Sequence, residues 1–248
     1  MGPNLTLLIF FSLPIFAGDT SSLLTERLSA GEAGYRLMYQ GRIIGCLDYE
    51  TEFKDNQWLR KSLLGRGLNI KEQSNLSLSE SLQTLHIDRT GNFNQDRLHI
   101  RIKREAGHLK GQINAPRPMG GAGTHQTLEL ETSSNVPERE TFLFWLIQAL
   151  DFDEQFEEKI DVFDSYSGKI VGLRLKVLEK ETIQTPVGVK DTWKVLVEDR
   201  KMKIIVHVTT SKPFMVVKLV EGPVTYERVP EGFVSLARQW AQEQEREK

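Results

Sequence analysis

Residues 169–229, KIVGLRLKVLEKETIQTPVGVKDTWKVLVEDRKMKIIVHVTTSKPFMVVKLVEGPVTYERV, decide the fold class. Apolar side chains recur at every second position at Trp193, Val195 and Val197, and again at Ile204, Val206 and Val208. A period of two marks a strand with one face on a core and the other in water. The pattern breaks at Pro186-Val187-Gly188, Asp199-Arg200-Lys201, Lys212-Pro213 and Glu221-Gly222, all of which suit turns. The stretch predicts consecutive antiparallel strands and says little about chemistry.

Upstream, a weaker form of the same pattern continues. Tyr35 to Tyr39, a turn at Gln40-Gly41, and Arg42 to Phe53 predict a first hairpin. Gln57 to Ile70, Leu82 to Arg89, Arg97 to Arg104 and His108 to Asn114 extend the meander, with turns at Thr90-Gly91-Asn92 and Ala106-Gly107. About a dozen strands result. Ala115 to Gly123 is rich in proline and glycine but matches no phosphate-cradling motif.

Between the two strand groups the periodicity changes. Pro137-Glu138-Arg139-Glu140 puts proline and acids where a helix starts. Phe142-Leu143-Phe144-Trp145-Leu146-Ile147 follows, then Ala149-Leu150. Six consecutive apolar residues cover every side of a helix, so it must be enclosed or lie between the sheet and something else. The expected architecture is mainly β: a strongly curved antiparallel sheet or open half-barrel wrapping one apolar helix near residues 137–149. Its domain spans 34–230, after a lead segment at 18–33 in which Ser21 to Ala30 reads as a short helix. Phe233, Leu236, Ala237, Trp240 and Ala241 recur at helical spacing and predict a short amphipathic helix in 231–248.

Composition bounds the function. The 248 residues carry 39% hydrophobic and 27% charged side chains, enough for one sizeable core. A formal net charge of −2 argues against a nucleic-acid partner, which needs a concentrated cationic surface. Leu5 to Phe16 is apolar but too short to span a bilayer, and it leads to the small residue Ala17. That reads as a secretory signal over residues 1–17, although no Lys or Arg precedes Arg27. The mature chain is then expected to be periplasmic or otherwise extracytoplasmic, without a transmembrane span. Cys46 is the only cysteine and sits in an apolar strand context, so it reads as a small buried side chain without a nearby activating base.

No catalytic constellation stands out. The acids Asp151, Asp153, Glu154, Glu157, Glu158, Asp161 and Asp164 form the densest charge cluster and read as a solvated face. They lack the glycine and distal glutamate of a calcium loop. His86, His99, His108, His125 and His207 form no metal-ligand motif, although His99 and His108 fall on neighbouring strands. Ser165 and Ser167 flank a hairpin tip, where serine forms turns. No cofactor and no metal are expected. The all-round apolar helix beside a curved sheet instead nominates a site for an apolar, lipid-like ligand, lined by Phe142, Phe144, Trp145 and Trp193, with Trp58 as a secondary candidate.

Three stretches resemble one family. Tyr35 to Phe53 has the order aromatic, Gly41, apolar pair, Gly45 and alternating strand. Glu179 to Val195 is a strand, a Thr185-Pro186-Val187-Gly188 turn, and a strand ending in Lys194-Val195. Pro213 to Lys218 then leads to a final strand at Val224 to Val229. In these features the chain resembles the bacterial exported domain-of-unknown-function family numbered 3108. The resemblance implies a periplasmic curved antiparallel half-barrel, akin in shape to carriers of lipid or lipoprotein acyl chains. It brings no catalytic residues with it. Two functions follow as expectations: a non-enzymatic protein holding a lipid-like ligand in its concave face, or a structural protein of cell-envelope assembly acting through protein partners.

Overall fold

The structure, a computed structural model, describes residues 23–66, 70–93, 96–116, 123–132, 135–199 and 202–230. The signal segment 1–17 and the C-terminal helix expected in 231–248 lie outside the described residues. The first strands are β1 (Gly31–Tyr39), β2 (Arg42–Lys54), β3 (Gln57–Arg66) and β4 (Ile70–Ser79). After them come β5 (Thr84–Phe93), β6 (Asp96–Glu105), β7 (His108–Ala115) and β8 (Thr124–Glu131). A short helix α1 (Arg139–Phe144) and a 3-10 turn (Leu146–Ala149) precede β9 (Glu157–Asp164) and β10 (Lys169–Thr185). The last strands are β11 (Gly188–Glu198), β12 (Lys203–Thr209), β13 (Val216–Glu221) and β14 (Val224–Val229).

The 14 strands of the described residues form one antiparallel sheet in the order β8-β7-β6-β5-β4-β3-β2-β1-β14-β13-β12-β11-β10-β9. Each strand pairs with its sequence neighbour except at two places. β1 pairs with β14, from Gly34↔Val229 to Tyr39↔Val224. β8 and β9 do not pair, so the sheet stays open between them. Its two margins nonetheless come close, because Gln126 on β8 donates to the Ser167 carbonyl in the β9–β10 turn at 2.9 Å.

Alternation decides which face is inside. Tyr35 and Leu37, Leu47 and Tyr49, Ile100 and Ile102, Leu173 and Leu175, Val195 and Val197, and Val206 and Val208 all point into one continuous core. The connection between β8 and β9 fills the space that these side chains leave. Thr84 donates to the Val136 carbonyl at 3.0 Å, Phe163 N–H to Pro137 at 2.8 Å, and Leu24 N–H to Ala149 at 2.8 Å. Phe142, Leu146, Ile147, Ala149 and Leu150 are wholly enclosed. A six-residue helix has no stability of its own in water. Burying eight apolar side chains between Phe142 and Leu150 supplies on the order of 10 kcal/mol before chain entropy is counted, and that holds it in place.

Four expectations change. The apolar segment is not one helix over 137–149: α1 ends at Phe144, Trp145 leaves helical geometry with φ −144° and ψ −56°, and a 3-10 turn follows. There Trp145 packs edge-on to Trp58 at 4.9 Å, so tertiary contact overrides local propensity. Ser21 to Ala30 holds only a 3-10 turn at Thr25–Arg27 among its described residues, and the strands begin at Gly31. Thr90-Gly91-Asn92 is strand, not turn. Gly91 lies opposite Glu72, and a Cβ there would stand 2.3 Å from the Lys71 carbonyl oxygen, so glycine permits the close approach of β4 and β5. His99 and His108 do not face each other: His99 pairs with Asn114 and His108 with Glu105, at opposite ends of one hairpin.

Candidate functional site

The fold brings together a cluster that no local motif announces. Arg89 projects inward from β5, where an apolar residue would continue the alternation. Three carboxylates surround its guanidinium: Glu72 on β4 at 3.1 Å, Glu138 at 3.3 Å and Glu140 on α1 at 2.9 Å. The side chains of Arg89, Glu72 and Glu138 are each only 2% exposed, so water cannot screen them.

Every carboxylate has further partners. Glu138 caps α1 by accepting from the Thr141 N–H at 2.8 Å, and it also accepts from the Ser165 hydroxyl at 3.0 Å. Tyr166, in the β9–β10 turn, donates to Glu72, and its ring lies under Arg89 at 4.8 Å. Tyr49 on β2 donates to Glu140 at 2.9 Å. The cluster thus fastens the connecting segment to β2, β4, β5 and the turn beyond β9.

Electrostatics follow from enclosure. Burial lifts the Glu72 carboxyl to about 7, although Arg89 and the Tyr166 hydroxyl pull it down. Burial also raises Glu138, against the same arginine. Burial opposes the Arg89 charge as well, but Tyr166 and the three carboxylates outweigh it and hold the guanidinium well above its ordinary range. Burial keeps Tyr49 and Tyr166 protonated, hence donors.

A substrate cannot reach Arg89, Glu72 or Glu138 without unpacking the core, and only Glu140, 22% exposed, borders solvent. General acid–base chemistry needs reach to a reacting group, and these acids spend their lone pairs on the protein itself. The arrangement is a fastening. Its pH dependence has a defined sign. A carboxyl raised in the folded state stabilises below its unfolded value and loses that contribution as pH rises through the folded one. Glu72 therefore stabilises fully below about 4.5 and loses up to roughly 3 kcal/mol as pH climbs from there to about 7.

His207 runs the other way. Burial lowers it to about 4 despite Glu181, so its contribution is intact above about 6.5 and fades as pH falls toward 4. The two slopes oppose each other between pH 4.5 and 6.5, and only the downward one continues to 7. Melting temperature measured against pH should show Glu72→Gln flattening the decline above pH 6.5. His207→Gln should make the decline start near 4.5.

The expected ligand-lining residues fall into two places. Phe142, Phe144 and Trp145 are buried in the core. Phe144 packs on Tyr35, Tyr49 and Tyr226 at 5.2, 5.6 and 5.1 Å, and Trp145 on half-buried Trp58. Trp193 stands apart from them, half-buried on β11 at a small cleft beside Lys180. The acids Asp151, Asp153, Glu154 and Glu157 are exposed, and Asp151 pairs with Arg27. Cys46 is a free thiol that burial, aided by Asp48, pushes up to about 11, so it is largely un-ionised at neutral pH.

Sequence reading missed Glu72, Arg89 and Tyr166. Charges at inward positions of an alternating strand were the available signal. Glu138 and Glu140 had been noticed, but only as acids in a first helical turn.

An open antiparallel sheet with a filled interior defines a mainly β, barrel-like class. Among solved structures the chain is similar to the beta-barrel-like protein of domain of unknown function DUF1849 from Brucella abortus. The identity is 12%, the coverage 82% of this chain and 96% of that one, and the TM-score 0.47. No curated protein matches. The family is settled by sequence: the chain belongs to DUF3108, described as a protein of unknown function, whose profile matches residues 84–227. That span contains the Thr185-Pro186-Val187-Gly188 turn on which the resemblance turned, and leaves out Tyr35 to Phe53.

Proposed function

We propose that this chain is a non-enzymatic extracytoplasmic protein that works by presenting its outer surface to a protein partner of the cell envelope. The observation that carries this reading is the filled concave face. An acyl chain entering there must expel Phe142, Leu146 and Ile147, exposing about as much apolar surface as it buries, at ~25 cal/mol per Å² on both sides. A lipid-like ligand in the concavity gains nothing from that exchange, which sets the partner reading above the carrier reading.

The β10–β11 hairpin offers the surface. β9 pairs with β10 only as far as Lys176, and β12 with β11 only from Thr192. Beyond those points the two strands pair with each other and project from the sheet, with Leu178 45% and Val189 63% exposed. Exposed apolar groups on a two-stranded arm suit a protein interface. The apolar run before Ala17 supports export.

Native mass spectrometry of protein purified from its own host, combined with a photo-crosslinker at Val189, tests the proposal. The expected result is a lipid-free mass and one discrete protein adduct, lost when Leu178 and Val189 both become aspartate. A retained lipid without an adduct would overturn it, and so would recovery of the protein from the cytosolic fraction.

A further inference from the structure

The cleft at Trp193 lies where the end of the 3-10 turn meets β10, β11 and β12, away from the buried arginine cluster. Its volume is about 190 Å³, and its walls include Arg27, Gln148, Lys180, Trp193, Thr210 and Phe214. That is space for one substituted six-membered ring.

Gln148 gives the cleft its meaning. The residue is 4% exposed and lines the cleft, yet among the described residues its carboxamide makes no hydrogen bond. Its polar atoms open onto the cleft and are not sealed away unpaired in the core. An unpaired amide facing a cavity is a group kept ready for a partner that arrives from outside.

The charges around it are uneven. Arg27 is committed: it donates to the Leu150 carbonyl at 2.7 Å, pairs with Asp151 and lies over the Phe214 ring at 4.6 Å. Lys180 has no ion-pair partner among the described residues, and its ammonium stands 5.8 Å from the Trp193 ring centroid. The cleft therefore offers one uncompensated cation, an amide able to donate and accept, a Thr210 hydroxyl, and the ring surfaces of Trp193 and Phe214. Aromatic walls receive the C–H faces of a saturated ring, while the amide and hydroxyl receive groups on its edge.

We propose that this cleft binds a single six-membered sugar ring carrying a carboxylate, with the ring against Trp193 and Phe214, its hydroxyls on Gln148 and Thr210, and its carboxylate at Lys180. The site is separate from the hairpin surface assigned to a partner, and either can fail without the other.

Calorimetric titration with D-glucuronate, D-glucose and benzoate tests it. Glucuronate should bind saturably and roughly tenfold more tightly than either analogue, since each lacks one of the two interactions. Gln148→Met and Lys180→Gln should each weaken glucuronate by about tenfold. Gln148→Met should leave the melting temperature no lower, because the amide holds no partner within the described fold; this separates lost binding from lost folding. Absence of saturable glucuronate binding would overturn the proposal, as would glucose or benzoate binding equally well. A lowered melting temperature in Gln148→Met would overturn it too, by showing that the amide serves the fold.

Discussion

Arg89→Met should lower the free energy of unfolding by about 3–5 kcal/mol at pH 7, read from urea denaturation midpoints. The substitution keeps much of the side-chain volume and removes the positive charge together with its N–H donors. Glu72 and Glu138 would then be left buried beside partly exposed Glu140, with hydroxyl and amide donors as their remaining compensation among the described residues. Acid should relieve the defect, because those carboxyls can take up protons, so the deficit against the unaltered protein should shrink below about pH 5. Arg89→Lys should recover little: one ammonium cannot reach three carboxylates held around a planar fork. A deficit that stayed constant with pH would mean that packing, rather than charge, is what Arg89 supplies.

Phe142→Ala should cost a similar amount, about 3–5 kcal/mol, for an unrelated reason. Phe142 is wholly enclosed between α1 and the sheet, and alanine would leave a void that the surrounding strands cannot close. Trp193→Ala removes a larger but half-buried ring and should cost clearly less. Thermal unfolding of the two variants side by side checks the ordering. Equal losses would contradict the placement of Phe142 in the packed interior and Trp193 at its margin.

How far the fold could be read in advance depended on what each strand carries on its inner face. β10 to β14 follow the alternation because Val, Leu and Ile occupy almost every inward position. β4 escaped notice because Glu72 and Ser74 take inward positions there, and the apolar rhythm appears only at Leu76 and Leu78. Gly91 suggested a turn because glycine permits turns, while its actual constraint is the nearness of a neighbouring backbone. The apolar run at Phe142 to Ile147 correctly demanded enclosure on all sides. Whether the enclosure left an opening depended on elements distant in sequence meeting, which no local pattern encodes. The arginine cluster was hidden for the same reason: its members come from β4, β5, α1 and the turn after β9.

The pairing of β1 with β14 has a consequence for how the chain reaches this arrangement. Every other ladder joins strands that follow one another, so each can form by short-range closure as the chain collapses. Arg36 and Glu227, which meet across this one, are 191 residues apart in sequence. Contacts of such separation form late and slow the overall rate. Two independent meanders, β1 to β8 and β9 to β14, should therefore assemble first and zip together last. Until that join is made, each exposes an unprotected margin, and it is then that the newly made protein is most prone to self-association.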